Sequence, residues 1–432
     1  MFLGLQSLKL IGISSIVFAL VCVFLCFFIL LVKKYLLSSK PCKIKINDDD
    51  SLIKIVPEGI SLLNALQNEG IGIPSPCGGK ATCKQCKLQI TDGVGTPLDI
   101  DKSTFSKKQL NSGWRLSCQY KIHHDLSVLV EERYLTASTW TGTVVSNANV
   151  ATFIKELVIK LNDSSVIPYK PGGYLQICVP PFTTNTSDWK STMDSLYYSD
   201  WEKLDIFNRK IDFSMLTPNA DSRAYSLASY PKEAPFLKFN IRIAIPPMKD
   251  NRIQENIPWG LCSSYLFSRK PGDFITMTGP YGESFMQDNI KPLIFLIGGA
   301  GSSFGRSHIS DLLKDKHSQR DISLWYGARS LKENIYGQDY LELEKEFPNF
   351  HYHLVLSEPL PEDIADGWDI NNPIKTNFLF KAFELGQLKL LENPEDYLFY
   401  VCGPPMHNKS ILKLLEDYGV PRSSIILDDF GS

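Results

Sequence analysis

Hydrophobic and polar positions follow three different rhythms along the 432 residues, and one block has no rhythm at all. Residues 10–32 contain no charge, and only Gly12, Ser14 and Ser15 interrupt the apolar run. As a helix, 23 such residues extend roughly 35 Å, enough for a hydrocarbon core of about 30 Å. Lys9 alone precedes the run, whereas Lys33, Lys34, Lys40 and Lys43 follow it. A cleaved signal peptide would instead place its basic residues before a shorter apolar core, with a small-residue cleavage site after it. Residues 1–35 are therefore read as a retained single-pass anchor, with the N-terminus outside and the remaining body in the cytoplasm.

Beyond the anchor, residues 43–47 and 52–56 read as short strands around the acidic turn Asp48-Asp49-Asp50, and Ser61 caps a helix whose Leu62, Leu63 and Leu66 share a face. Glycine- and cysteine-rich sequence then runs to Cys86, followed by alternation over 87–90 and an Asp92-Gly93 turn. From Thr141 the rhythm is β-type, as over 153–161 and 174–179. Near Lys291 it changes again. A continuous apolar stretch, 292–297, runs into glycines and a helical pattern, and 322–326 reads as the next strand. That order predicts a parallel sheet with crossover helices. The expected domains are 36–132, 133–286 with an insertion at 181–222, and 287–432. The insertion carries Trp189, Tyr197, Tyr198, Trp201 and Phe207 among polar residues. Exposed aromatics favour partner contacts, so it is expected to touch other subunits or the membrane surface; packing on its own domain is the alternative.

Composition narrows the function. Lys and Arg number 45 against 47 Asp and Glu, a formal net charge of −2, which argues against a nucleic-acid protein. Cysteines add chemistry. Cys77, Cys83 and Cys86 form C-x5-C-x2-C, and Cys118 follows after 31 intervening residues. In a cytoplasmic body such thiols bind metal rather than form disulfides. Structural zinc usually brings two Cys-x2-Cys hairpins, and only one is present. A [2Fe–2S] cluster needs four thiolates and a tightly wrapped loop, a need that Gly78 and Gly79 suit.

The segment C-G-G-K-A-T-C-K-Q-C, with W-R-L-S-C-Q around Cys118, resembles the plant-type ferredoxin domain found fused to flavin reductases. Ala81 stands where such relatives mostly carry Gly, a change that costs little unless the backbone there is left-handed. Arg223-Ala224-Tyr225-Ser226 is similar to the R-x-Y-[ST] strand of ferredoxin reductases, and Gly260-Leu261-Cys262-Ser263-Ser264 to their G-x-x-S element. The resemblance implies FAD. Arg223 would neutralise its pyrophosphate, Tyr225 pack on the isoalloxazine and Ser226 bond its N5 edge, while Gly260, Ser263 and Ser264 would receive the pyrophosphate.

Gly298, Gly299 and Gly301 follow an apolar strand, where glycines let backbone reach a pyrophosphate. The element Cys402-Gly403-Pro404-Pro405-Met406 resembles the nicotinamide-side loop of the same reductases. The implied substrate is NADH, with Gly403 and Pro404 in the binding loop and Cys402 beside Ser226 at the hydride-transfer locus. Phe430, third from the C-terminus, would shield the flavin until nicotinamide displaces it. Relatives usually carry a proline within 302–304; its absence predicts a looser loop. Arg329 could read a 2′-phosphate, although Tyr326-Gly327-Ala328-Arg329 resembles NADH users.

Anchor, ferredoxin, flavin and nicotinamide modules in this order resemble the F subunits of sodium-translocating NADH:quinone oxidoreductases. That resemblance implies a multidomain α+β and α/β fold: an N-terminal transmembrane helix, a β-grasp [2Fe–2S] ferredoxin domain, an antiparallel β-barrel FAD domain and a Rossmann-like parallel-sheet NADH domain. It implies hydride transfer from NADH to FAD and then single electrons to the [2Fe–2S] cluster. Partner subunits in a bacterial inner membrane would carry them to quinone. A membrane-anchored oxygenase reductase and a non-catalytic assembly subunit are the rival readings.

Overall fold

A computed structural model describes residues 15, 17–28, 40–135, 138–162, 166–215, 221–249, 252–254 and 256–429. The apolar run 10–32 therefore falls partly outside the described residues. Residues 17–28 are helical, and every one is exposed. Among the described residues no helix is long and apolar enough to cross a membrane. The chain divides into two compact units, residues 1–65 with 88–130 and residues 66–87 with 131–432.

In the first unit, β1 (Pro41–Ile46) and β2 (Asp49–Pro57) pair antiparallel. Alternation in β1 buries Cys42, Ile44 and Ile46 on one face. Helix α1 (Leu62–Asn68) begins as its cap predicts, the Ser61 hydroxyl accepting the Asn64 N–H at 3.2 Å. Strands β3 (Lys87–Asp92), β4 (Trp114–Leu116) and β5 (Leu126–Leu129) complete a five-stranded sheet ordered β2-β1-β5-β3-β4, with β1 and β5 parallel. Between α1 and β3, residues 71–86 form neither helix nor strand. Left-handed backbone steers that loop, at Gly78 (φ 63°) and Gly79 (φ 82°) and also at Ala81 (φ 64°) and Lys84 (φ 54°). For Ala81 the left-handed region carries a steric cost of roughly 1–2 kcal/mol.

The second unit opens with β6 (Ser138–Ala151), β7 (Ile154–Leu161) and β8 (Tyr174–Val179). Next come β9 (Phe182–Asn185), α2 (Tyr198–Lys203), β10 (Lys210–Phe213), β11 (Asp221–Ser226) and β12 (Phe236–Arg242). A short hairpin of β13 (Met248–Lys249) and β14 (Arg252–Ile253), helix α3 (Leu261–Phe267) and β15 (Phe274–Tyr281) follow. Six of these strands form an antiparallel sheet ordered β11-β8-β15-β6-β7-β12. An antiparallel bridge from Leu227 to Phe239 joins its two edges, and the sheet closes into a barrel.

The insertion departs from expectation. β9 pairs with β10, and the segment between them folds back onto the barrel. Trp189 is 1% exposed and Trp201 0%; Tyr197 and Phe207 are also buried in the barrel's core cluster, and Tyr198 packs against it. Trp201 stacks on Phe207 and Phe267 at centroid distances of 5.5 and 6.0 Å. These aromatics extend the core instead of presenting a partner surface, because rings that bury 150–250 Å² each are stabilised more by the barrel than by water.

The remaining chain alternates strand and helix: β16 (Leu293–Gly298), α4 (Ser302–Ser310), β17 (Ile322–Ala328), α5 (Gly337–Glu346), β18 (Phe350–Leu356), α6 (Leu379–Gly386), β19 (Leu398–Cys402), α7 (Pro405–Asp417) and β20 (Ile425–Asp428). The sheet is wholly parallel, in the order β18-β17-β16-β19-β20. Every residue of β16 is buried, as a continuous apolar strand requires when both sheet faces are covered. Strand order reverses between β16 and β19, and open α/β sheets bind ligands in the crevice at such a switch point. Helix α4 is buried along its whole length against the barrel. The Ser302 hydroxyl accepts from Asn240 Nδ2 at 2.7 Å, and Ser303 Oγ accepts the Asn240 N–H at 3.1 Å. The loop expected to be looser without a proline is thus tethered to β12 by the serines that occupy its place.

Two stability outcomes follow from this packing. Ala81→Gly should stabilise the cluster loop in urea titration by about 1 kcal/mol, the relieved left-handed strain less glycine's greater unfolded entropy; a lower midpoint would contradict the strain. Trp201→Ala should destabilise the second unit by about 3–5 kcal/mol in urea titration, whereas a partner-facing tryptophan would leave the isolated chain unaffected.

Candidate functional site

Three of the four predicted cluster thiols sit on the left-handed loop. Cys86 is fully buried, Cys77 nearly so and Cys83 half-buried. The Cys83 thiol donates to Cys77 Sγ at 3.2 Å. That bond holds Cys77 well below the usual thiol range, helped by backbone N–H groups of Cys83 and Lys80 that point at its sulfur. The Gln85 N–H points at Cys83. Gly79 N–H is in turn held by Ser75 Oγ at 2.9 Å. Cys118, in the other unit, is buried two residues beyond β4. Among the described residues no three Cys, His, Asp or Glu side chains converge as the ligands of one ion do. Two close thiols with backbone donors aimed at their sulfurs are what half of a two-iron, four-thiolate cluster requires.

In the second unit a cavity of about 690 Å³ gathers the predicted flavin residues. Arg223, Tyr225 and Ser226 enter it from β11, Gly260 and Ser263 from the start of α3, and Gly298, Gly301, Gly403 and Pro404 from the parallel sheet. Ser263 Oγ accepts the Ala244 N–H at 3.1 Å and donates to the Gly260 carbonyl at 3.1 Å, which ties the turn to the segment just beyond β12. Ser264 is placed differently. It is fully buried, lies outside that lining and leaves its hydroxyl without a hydrogen-bond partner.

A second cavity, about 840 Å³, runs along the carboxyl ends of β16, β17 and β18. Gly298 and Gly299 line it with Arg329, Glu333, Phe378 and His407. The two cavities adjoin, sharing Arg242, Ala244, Gly298 and Pro404. Gly301 is required by close approach, since a Cβ there would collide with the Cys402 carbonyl and lie 3.1 Å from its sulfur. Cys402 itself is fully buried behind Gly403, and burial, with the nearby Asp428 and Asp429 carboxylates, keeps its thiol protonated. His407 is neutral, lowered to about 4 by burial despite its ring contact with the Leu296 carbonyl at 3.2 Å.

Chain order did not reveal one partnership. Ser226 Oγ donates to Asp428 Oδ2 at 3.1 Å across 202 residues, and Asp428 is the register partner of Cys402 in β20. Burial lifts the Asp428 carboxyl to about 7, the Ser226 hydroxyl opposing and Asp429 reinforcing. Ser226 and Cys402 thus meet through an acid that sequence reasoning missed. Arg242, Asn240 and His407 were missed likewise, because each belongs to no motif and reaches the cavities only through strand register or one helical turn. Phe430 lies outside the described residues.

Comparison with known proteins agrees with this geometry. A family model described as a 2Fe-2S iron-sulfur cluster binding domain matches residues 44–123, and one described as an oxidoreductase NAD-binding domain matches residues 295–411. The first span contains all four predicted cluster cysteines and the second both glycine-rich turns of the sheet. A cytochrome P450 reductase, GcoB, from Amycolatopsis shares the fold at 20% identity, with a TM-score of 0.59 over 90% of this chain and 98% of that one. Over 421 residues the chain is 41% identical to the F subunit of the Na(+)-translocating NADH-quinone reductase of Neisseria gonorrhoeae, covering 97% of this chain and 99% of that one. It is 66% identical over 428 residues to the F subunit of the same reductase from Chlamydia felis, covering 99% of each. The chain belongs to the family of Na(+)-translocating NADH-quinone reductase F subunits.

Proposed function

We propose that this chain is the NADH-oxidising, electron-input subunit of a membrane-bound, sodium-translocating NADH:quinone reductase. The observation that carries the reading is the junction of two cavities at Arg242, Ala244, Gly298 and Pro404, with Ser226 lining the flavin-side cavity and its partner Asp428 beside it. A dinucleotide lying along β16–β18 would deliver its nicotinamide there, at the edge of the cavity lined by the flavin motifs. Bound FAD supplies the exchange between a two-electron hydride and the single electrons that a [2Fe–2S] cluster accepts on the way to quinone. Arg223, Gly260 and Ser263 would hold the flavin pyrophosphate, and Tyr225 its ring. Ser264 supports that turn from behind, as its burial implies. Gly298, Gly299 and Gly301 would admit the dinucleotide pyrophosphate, with Gly403 and Pro404 closing the nicotinamide side. Cys77, Cys83, Cys86 and Cys118 would hold the cluster.

The Ser226–Asp428 pair sets which way the hydroxyl faces. When Asp428 is ionised it accepts a hydrogen bond from the Ser226 hydroxyl, and the serine presents only lone pairs to the cavity. When Asp428 is protonated it donates to Ser226, whose O–H is then free to donate into the cavity where a hydride must arrive. The protonated thiol of Cys402 contributes shape without charge. For NADH over NADPH, the support is Glu333, whose carboxylate stands 3.7 Å from Arg329 Nη2 in the larger cavity. It offsets the cation that would read a 2′-phosphate and repels that phosphate directly.

Single-pass anchoring is part of the proposal. Residues 17–28 are apolar around the whole helix and exposed on every side, a distribution suited to lipid. Because run 10–32 holds no charged residue, sodium movement is assigned to partner subunits. Phe430 is proposed as the flavin shield.

Mixing NADH with the chain should bleach the flavin and then produce the EPR signal of a reduced cluster; an unbleached flavin would reject the input role in favour of an assembly subunit. Membrane partners should copurify as a quinone reductase, and copurification with an oxygenase would sink the assignment. The rate of flavin reduction should fall about tenfold as pH rises through about 7, where Asp428 ionises. In Asp428→Asn the step should vanish. The same raised value means the folded chain binds the extra proton between about pH 4 and 7, so the stability Asp428 contributes declines as pH climbs through that window.

A further inference from the structure

The insertion is buried against its own barrel, yet it also reaches the parallel sheet. Leu204, just beyond α2, lines the larger cavity beside Arg329 and Glu333, at the end that the flavin cavity does not share. In α2 itself, Asp200 Oδ2 accepts from Lys332 Nζ at 2.5 Å, and the two side chains are only 27% and 20% exposed. Trp201 donates from Nε1 to the Thr152 carbonyl at 2.6 Å. Thr152 in turn binds the Glu333 carboxylate twice, through its N–H at 3.2 Å and through its hydroxyl. The insertion's other end is pinned by buried Lys155, which donates to the carbonyls of Thr192 at 3.3 Å and Asn147 at 3.2 Å.

The Asp200 and Thr152 contacts converge on one short 3-10 turn, Leu331–Glu333. From the parallel-sheet side it is held by Asp363, which accepts the Leu331 N–H at 3.2 Å, and by a long 3.4 Å bond from the Tyr326 hydroxyl to the Glu333 carbonyl. We propose that the insertion is an internal strut for the dinucleotide site: the Asp200–Lys332 ion pair holds turn 331–333 so that Glu333, Arg329 and Leu204 keep the adenosine end of the cavity shaped for NADH. Asp200 and Lys332 are positioning residues and touch no substrate. A pair three-quarters withdrawn from water is coupled more strongly than an exposed one, since solvent and salt screen it less. An insertion between two barrel strands thereby governs a site on the neighbouring sheet.

The inference rests on reading the larger cavity as the NADH site, and the test separates the two. Binding of ADP-ribose to the full-length, flavin-loaded chain is measured by calorimetry for wild type, Asp200→Asn, Lys332→Gln, their double variant and the charge swap Asp200→Lys with Lys332→Asp. Each single variant should weaken ADP-ribose binding by about three- to tenfold. The double should be no weaker than the worse single, and the swap should recover part of the loss. In steady state the loss should fall on KM for NADH rather than on kcat. If the singles lower the melting temperature while ADP-ribose affinity stays at the wild-type value, or if their effects simply add, the strut is overturned. Wild type that fails to bind ADP-ribose would instead reject the cavity's identity, and the inference with it.

Discussion

Arg306 and Glu233 make the contact on which the larger unit depends. The guanidinium donates from Nη1 to Glu233 Oε2 at 2.7 Å and from Nη2 to Oε1 at 2.9 Å, with a further bond from Nη1 to the Ala228 carbonyl at 2.8 Å. Arg306 lies midway along α4, every residue of which is buried. Such an ion pair is stable only when bidentate geometry and additional hydrogen bonds offset the loss of hydration, and all of these are present. Burial alone would lower the Arg306 value, and the Glu233 carboxylate more than reverses it. Because α4 begins at the glycine turn, locking its middle to the barrel also sets the height of Gly298–Gly301 over Ser226 and Tyr225.

From that lock the rest of the site follows as a matter of steric economy. Two polar faces meet along α4, with Asn240 bonded to Ser302 and Ser303 at one end and Ser307 donating to the Ser229 carbonyl at 2.7 Å farther along. On the opposite side, Phe304 and Ile309 join the core of the parallel sheet. The helix is therefore amphipathic without being solvent-exposed: its polar stripe faces the barrel, and its apolar stripe faces β16 and β19. Close backbone approach at Gly301 then brings Cys402 behind the cavity wall, and parallel register carries Asp428 to Ser226. No single residue in this chain of contacts is exotic. The geometry comes from one buried helix satisfied on both faces.

The modules were legible along the chain where the chemistry is local. Cys77, Cys83 and Cys86 lie within ten residues, and the backbone between them has to turn left-handed to aim its N–H groups at sulfur. The unbroken apolar stretch of β16 followed by glycines likewise announces a strand entering a close-approach glycine turn. What remained illegible was long-range. Aromatic residues in the insertion look like a partner surface on paper, and only packing shows that Trp189 and Trp201 belong to the barrel core. Ser264 looked equivalent to Ser263, but helical geometry turns adjacent side chains about 100° apart, so one faces the cavity and its neighbour the interior.

Sequence alone supplied the candidate chemistry: four thiols spaced as for a cluster, two motifs that resemble flavin elements, two turns that resemble nicotinamide loops and one long apolar run. Each of these depends on residue type at short spacing, and short spacing survives without a fold. Tertiary structure decided which acid faces Ser226, which serine lines the barrel-side cavity, how the missing proline is replaced by a tether to Asn240, and that the insertion contacts a turn beyond β17. Those outcomes turn on strand register and on buried charge finding its partner. Both are set by contacts between residues tens to hundreds of positions apart, which no local pattern encodes.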